Sequence, residues 1–198
     1  MTIERLDDAD FPTSKQPSQM LQIDVETASV DAAIDLQGKD PFNTIAEHDG
    51  MLYLAEPGSF DANDDPLAGV ERFDTKTRQS QILVSERVIG GSVAEVAVSA
   101  GCAAAIVAGP EHDVNPTSLV TFDPQTGQIT AVAMAPTPGY DLQGLAWQGQ
   151  TLYVGDRREG AGGFRVHVLE RDGDSCVLHE SARTIDLPQR PVALRPAQ

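Results

Sequence analysis

Two short signatures recur along the chain at a common spacing, and this regularity constrains the fold more than composition does. The first is an apolar residue followed by alanine: Ile45-Ala46, Val96-Ala97, Leu145-Ala146 and Val192-Ala193, with the alanines 51, 49 and 47 residues apart. The second is an apolar residue followed by an acid: Ile23-Asp24, Phe73-Asp74, Phe122-Asp123 and Leu169-Glu170, with the acids 50, 49 and 47 apart. Two independent signatures therefore report one repeat.

The copy over 141–187 shows what the repeat contains. LQGLAW and TLYVGD are short apolar stretches joined by the turn QGQ, and RREGAGG breaks the chain after them. FRVHVLE alternates strictly, with Phe164, Val166 and Val168 on one face and Arg165, His167 and Leu169 on the other, a period of two. RDGDS supplies the Asp-Gly of a tight hairpin and leads into CVLHESARTIDL. Four strands per period, here called a, b, c and d, and no helical periodicity specify the blades of a β-propeller. A β-sandwich has short strands and regular turns too, but it does not require a four-fold registered repeat.

The expected fold is therefore all-β: a propeller of four four-stranded blade-equivalents, forming a single domain or propeller fragment over 1–198. The blades fall at about 1–40 together with 190–198, 41–90, 91–139 and 140–189. The first copy starts at strand b, and RPVALRPAQ reads as a lone strand a. If that strand joins the first three, it closes the ring, removes a sheet edge, and buries Val192 and Leu194 for roughly 1.5 to 3 kcal/mol each. The alternative is that the four blades belong to a larger propeller, or that two chains complete a ring as a homodimer.

Aromatic residues are only 5% of the chain, so the core falls to Val, Ile, Leu and Ala. The formal charge of −16, from 30 acids against 14 bases, argues against a nucleic-acid partner, which requires cations to neutralise phosphates. No apolar run is long enough for a transmembrane helix. MTIERLDDADF lacks the basic and then apolar stretch of a signal peptide.

In a propeller the b–c and d–a loops emerge on one face, which sorts the polar residues. The b–c loops there carry Asp61, Asn63, Asp64 and Asp65; Glu111, His112, Asp113 and Asn115; and Asp156, Arg157, Arg158 and Glu159. Of these, Asp64, Asp65, Asp113, Asn115, Asp156 and Arg157 are the candidate ligand-binding residues. Oxygen ligands in this number suit Ca²⁺, which takes six to eight, but DANDDP lacks the spacing of an EF-hand loop, so no cofactor or metal set is assigned. Asn43, Glu95 and Asp141, just before or within strand a, are candidates for the mouth of the central channel.

The four histidines have no ligand-like spacing, and His167 reads as a packed or edge residue opposite the Phe164 face. No serine sits in a GxSxG elbow, and a single tryptophan, Trp147, argues against the quinone-cofactor propellers. Cys102 and Cys176 open strands of neighbouring blades after turns on the same face, which makes a disulfide conceivable. Their unequal strand positions favour two unpaired thiols, whereas an oxidising compartment favours a bridge.

The segments LQIDVETASVDAAIDL, ERFDTKTRQSQILVS, VTFDPQTGQITAVA, LYLAEPGSFDANDD and LYVGDRREGAGGFRV, with KDPFN and VSERVIGGSVAEV, resemble YVTN-type β-propeller repeat proteins. The resemblance is to the C-terminal blades of bacterial cell-envelope propellers, many of them lipoproteins, although the lipoprotein cysteine motif is lacking here. Such proteins have about seven blades. The resemblance implies an extracytoplasmic protein, periplasmic, surface-bound or secreted. It also implies a non-catalytic binding or scaffold role, in which an acidic loop face takes a protein, glycan or small molecule. The alternative is a calcium-dependent propeller hydrolase or lactonase with its site at the channel mouth.

Overall fold

The computed structural model describes residues 1–3, 16–58, 65–109, 116–136, 140–160 and 163–195, without the side chains of Ile3, Asn43 and Thr44. The expected alternation is realised as four antiparallel sheets. The first holds β1 (Thr2–Ile3), β2 (Gln19–Asp24) and β3 (Ser29–Asp35). The second holds β4 (Phe42–His48), β5 (Met51–Glu56), β6 (Gly69–Asp74) and β7 (Gln79–Ser85). The third holds β8 (Ser92–Ser99), β9 (Cys102–Ala108), β10 (Thr117–Phe122) and β11 (Ile129–Met134). The fourth holds β12 (Leu142–Gln148), β13 (Thr151–Gly160), β14 (Gly163–Arg171) and β15 (Leu178–Leu187). Each is a simple meander in chain order, so every strand pairs with its sequence neighbour. One feature escaped the period-two reading: Glu86–Ile89 forms a single helical turn, α1, stopped by Gly90 at φ 96°.

The recurring acid after strand c has a structural reason. Asp24, Asp74 and Asp123 each turn one carboxylate oxygen back on the amides two and three residues ahead, at 2.8 to 3.2 Å. The amides of Glu26 and Thr27 do this for Asp24, those of Lys76 and Thr77 for Asp74, and those of Gln125 and Thr126 for Asp123. The fourth copy departs from the pattern and fixes its c–d turn with Arg171, which donates to the carbonyls of Ala100, Asp174 and Ser175.

The chain divides into two compact units, 1–94 and 95–198. In the first, Met20, Leu36, Leu54 and Phe73 form a buried cluster joined by Ile34, Ile45 and Leu52. In the second, every residue of β9 is buried, and Phe122, Leu119, Leu152 and Leu169 are fully enclosed. Each large apolar side chain so buried contributes roughly 1.5 to 3 kcal/mol.

Two expectations are corrected here. Residues 190–195 form no strand, the first sheet has three strands among the described residues, and Val192 is 69% exposed. The segment instead crosses β12 and β13, where a Cβ on Gly155 would stand 3.0 Å from Pro191 and one on Gly144 3.1 Å from Leu194. The two glycines leave the room for this strap, and Pro191, without an N–H, cannot enter a ladder as an ordinary strand residue. The second correction concerns the cysteines. Cys102 and Cys176 are bridged, with Cα atoms 5.0 Å apart, because the Arg171 clasp holds the turn before Cys176 against the start of β9.

Candidate functional site

The fourth sheet gathers the polar residues that can do chemistry. Along β13 the side chains of Leu152, Val154, Asp156 and Arg158 share one face, and along β14 so do Leu169, His167 and Arg165. The ladder sets Leu152 beside Leu169, Val154 beside His167 and Asp156 beside Arg165. One face thus runs from a dry apolar floor into a polar end, and β13, β14 and β15 are 10, 9 and 10 residues long where β9 to β11 are 7, 6 and 6.

His167 lies at the centre of that end, 4% exposed. Its Nδ1 is 2.6 Å from Glu180 Oε1, and its Nε2 is 3.4 Å from Asp156 Oδ2. Burial opposes a charge on the ring, but the hydrogen bonds to Asp156 and Glu180 outweigh it and raise the imidazole above its ordinary value of 6.5. Burial also opposes the charge of Asp156. Its contacts with His167 and with the amides of Arg158 and Asp141 prevail and hold it below 3.8. Tyr140 meets the His167 ring edge-on at 5.6 Å between centroids, and the Arg158 guanidinium lies 5.2 Å over the Tyr140 ring. These groups border a cavity of about 260 Å³.

Beside this cluster, Asp141 accepts hydrogen bonds from the Arg157 guanidinium, which also donates to Gln143. Three sequence candidates, Asp141, Asp156 and Arg157, are therefore neighbours: the Asp141 amide donates to Asp156 at 3.2 Å, and the Arg157 amide donates to the Asp141 carbonyl.

The other candidates part company with them. Glu95 is buried on β8 and accepts the amides of Gly144 and Leu145 at 2.8 and 3.0 Å. Those amides lie in the register shift of β12, so its carboxylate props a distorted strand. Burial raises its pKa above 4.5, and the two amides moderate that. Asp65, in the other unit, pairs with Lys39 at 3.0 Å and accepts the Leu67 amide. Asn43 stands in β4 with its side chain outside the described residues, as do Asp64, Asp113 and Asn115 entirely.

His167 was legible as a packed residue, but not its role between two carboxylates. Glu180, Tyr140 and Arg165 were missed. The available signal was the parity of Arg165 and His167 on one strand face. Among the described residues, no three His, Cys, Asp or Glu side chains are grouped so as to hold a metal ion.

No protein-family model and no curated protein matches the chain. Solved structures do. BamB from Moraxella catarrhalis matches over 90% of this chain and 48% of its own, at 14% identity and TM-score 0.52. A crystal structure named for 6-phosphogluconolactonase, from Bacteroides uniformis, matches over 97% of this chain and 56% of its own, at 12% identity and TM-score 0.60. The dihydro-heme d1 dehydrogenase NirN, in complex with DHE, matches over 87% and 34%, at 16% identity and TM-score 0.53. The chain thus spans between a third and just over half of the structures it resembles. With the four meanders, these likenesses establish an all-β propeller of four blade-equivalents.

Proposed function

We propose that this is a non-catalytic binding propeller of the bacterial cell envelope or a secreted one, recognising a protein, glycan or small molecule through loops on a rigid scaffold. The observation that carries the reading is the employment of the acids that a channel-mouth hydrolase would use. Glu95 is spent on two backbone amides and Asp141 on Arg157, so each holds the architecture in place. The Cys102–Cys176 bridge supports an oxidising, extracytoplasmic address, where such bonds persist. The likeness to YVTN-type repeats supports the same compartment.

The competing reading is a calcium-dependent hydrolase or lactonase. Assays of lactone hydrolysis by the full chain, with and without millimolar Ca²⁺, decide between them. The binding reading expects no turnover and no calcium-dependent rise in melting temperature, whereas a bound ion at a hundred times its Kd would add about 2.7 kcal/mol. Calcium-dependent turnover by the full chain would replace it with the hydrolase.

A further inference from the structure

We propose that the cavity on the fourth sheet is a binding site for a small molecule bearing an oxyanion, a carboxylate or a phosphate, held by Arg158 and Arg165. The proposal goes beyond the reading above, because it concerns a pocket lined by strand residues and assigns its ligand chemistry.

The charges around the cavity decide its sign. Both acids that line it are already engaged. Asp156 Oδ1 accepts the amides of Asp141 and Arg158, while Asp156 Oδ2 faces His167 Nε2. Glu180 takes the other ring nitrogen, so a doubly protonated His167 offsets one of the two carboxylates.

The two arginines are less committed. Arg158 is exposed, and its guanidinium reaches Asp156 only at 3.8 Å while resting on the Tyr140 ring. Arg165 is half-buried, with its guanidinium packed against Gly160, where a Cβ would stand 3.2 Å from it. Among the described residues the Arg165 side chain has no hydrogen-bond or ion-pair partner, while its backbone pairs with β13 and β15. Asp186, opposite it in the β14–β15 register, is exposed and forms no ion pair with it.

Two arginines balance the two carboxylates that line the cavity, and when His167 is protonated three cations face two carboxylates, a local balance unlike the formal charge of −16 of the whole chain. A planar guanidinium without a counter-ion beside a cavity is suited to bidentate capture of an oxyanion. The volume of about 260 Å³ lies just below the usual range for drug-sized ligands, which limits the guest to a small molecule.

The same arrangement gives the site a pH dependence. The groups facing His167 are Asp156 from β13, Glu180 from β15 and the Tyr140 ring, with Arg158 and Arg165 across the cavity. Loss of the imidazolium proton leaves one more uncompensated carboxylate beside the guest, so binding weakens as pH rises through the His167 titration.

The test is calorimetric titration of the full chain with inorganic phosphate and, separately, malonate, against chloride at matched ionic strength. Saturable binding of at least one oxyanion is expected. It should weaken by about tenfold or more in Arg165→Ala, with Arg165→Lys intermediate. Phosphate binding alone assigns a phosphoryl guest and malonate binding alone a carboxylate; binding of both assigns the shared chemistry. Circular dichroism confirms that each variant is folded, and Arg158→Ala supplies an independent second variant. No saturable heat from either oxyanion, or equal affinity in wild type and both alanine variants, overturns the proposal. The hydrolysis assay decides the binding reading separately, so either can fail while the other stands.

Discussion

The second and fourth sheets place different chemistry on the same two repeat positions. In the second sheet Leu54 pairs with Glu71, and Glu56 follows two residues after Leu54; in the fourth, Val154 pairs with His167, and Asp156 follows. The third sheet has Val107 and Val120 at these places, both buried. In the second sheet the acids are sealed: Glu71 accepts the amides of Gln37 and Gly38 at 2.8 and 2.9 Å, and a Cβ on Gly38 would come within 2.7 Å of both glutamates. In the fourth, Tyr140 contributes only a ring edge and a cavity remains. One blade uses its polar pair to pin the incoming link, and another buries the pair beside a cavity that Arg158 and Arg165 also line. The repeat prescribes the positions but not their use.

The largest expected effect bears on what keeps the fourth sheet in place while its polar end stays open. The Cys102–Cys176 bridge ties β9 to the turn before β15 across 74 residues, and closing a loop of that size contributes about 4 kcal/mol. A variant with both cysteines changed to serine should lose about that much in denaturant unfolding. Hydrogen exchange should show the loss in the third and fourth sheets first. If protection falls equally in the second sheet, the bridge does not distinguish the two regions.

The next effect concerns the sealed site. Glu71→Ala removes the acceptor of one buried and one part-buried amide, at a cost of roughly 2 to 3 kcal/mol, since an unmet buried donor costs about 1 to 3. Glu71→Gln can still accept one of them and should recover part of the loss. A loss below about 0.5 kcal/mol in Glu71→Ala would remove the claim that this pair secures the link.

Much of the fold was legible because a strand declares itself locally. Alternation set Phe164, Val166 and Val168 against Arg165, His167 and Leu169, and the spacing of Asp24, Asp74 and Asp123 marked turns that a side-chain oxygen closes. The site was legible only in part, because its partners come from separate strands. Glu180 reaches His167 across the β14–β15 register shift, which no spacing in the sequence announces. Glu95 lies within strand a, where a channel mouth is expected, yet it serves a distorted stretch of β12 fifty residues away. The terminal segment misled for a related reason. Its apolar-alanine signature matched strand a, while Pro191 and the bare surfaces of Gly144 and Gly155 favoured a strap over a ladder.

The smallest effect separates the two sheets by pH. His167 is held above its ordinary 6.5, so the folded protein binds that proton more tightly than the unfolded chain does. Its contribution is complete below 6.5 and is lost as pH rises through the higher folded value. Asp156, held below 3.8, stays ionised throughout this window and loses its own contribution only as pH falls through its lowered value. His167→Gln should therefore cost about 1 to 2 kcal/mol in mild acid and progressively less in alkali, because the neutral ring no longer rewards its carboxylates. Unfolding of wild type and variant across that range, with the His167 ring proton followed by NMR, measures both quantities. A midpoint at or below 6.5, or a stability difference that does not change with pH, would mean that the carboxylates do not hold the ring charged. The fourth sheet would then close on its polar pair as the second does.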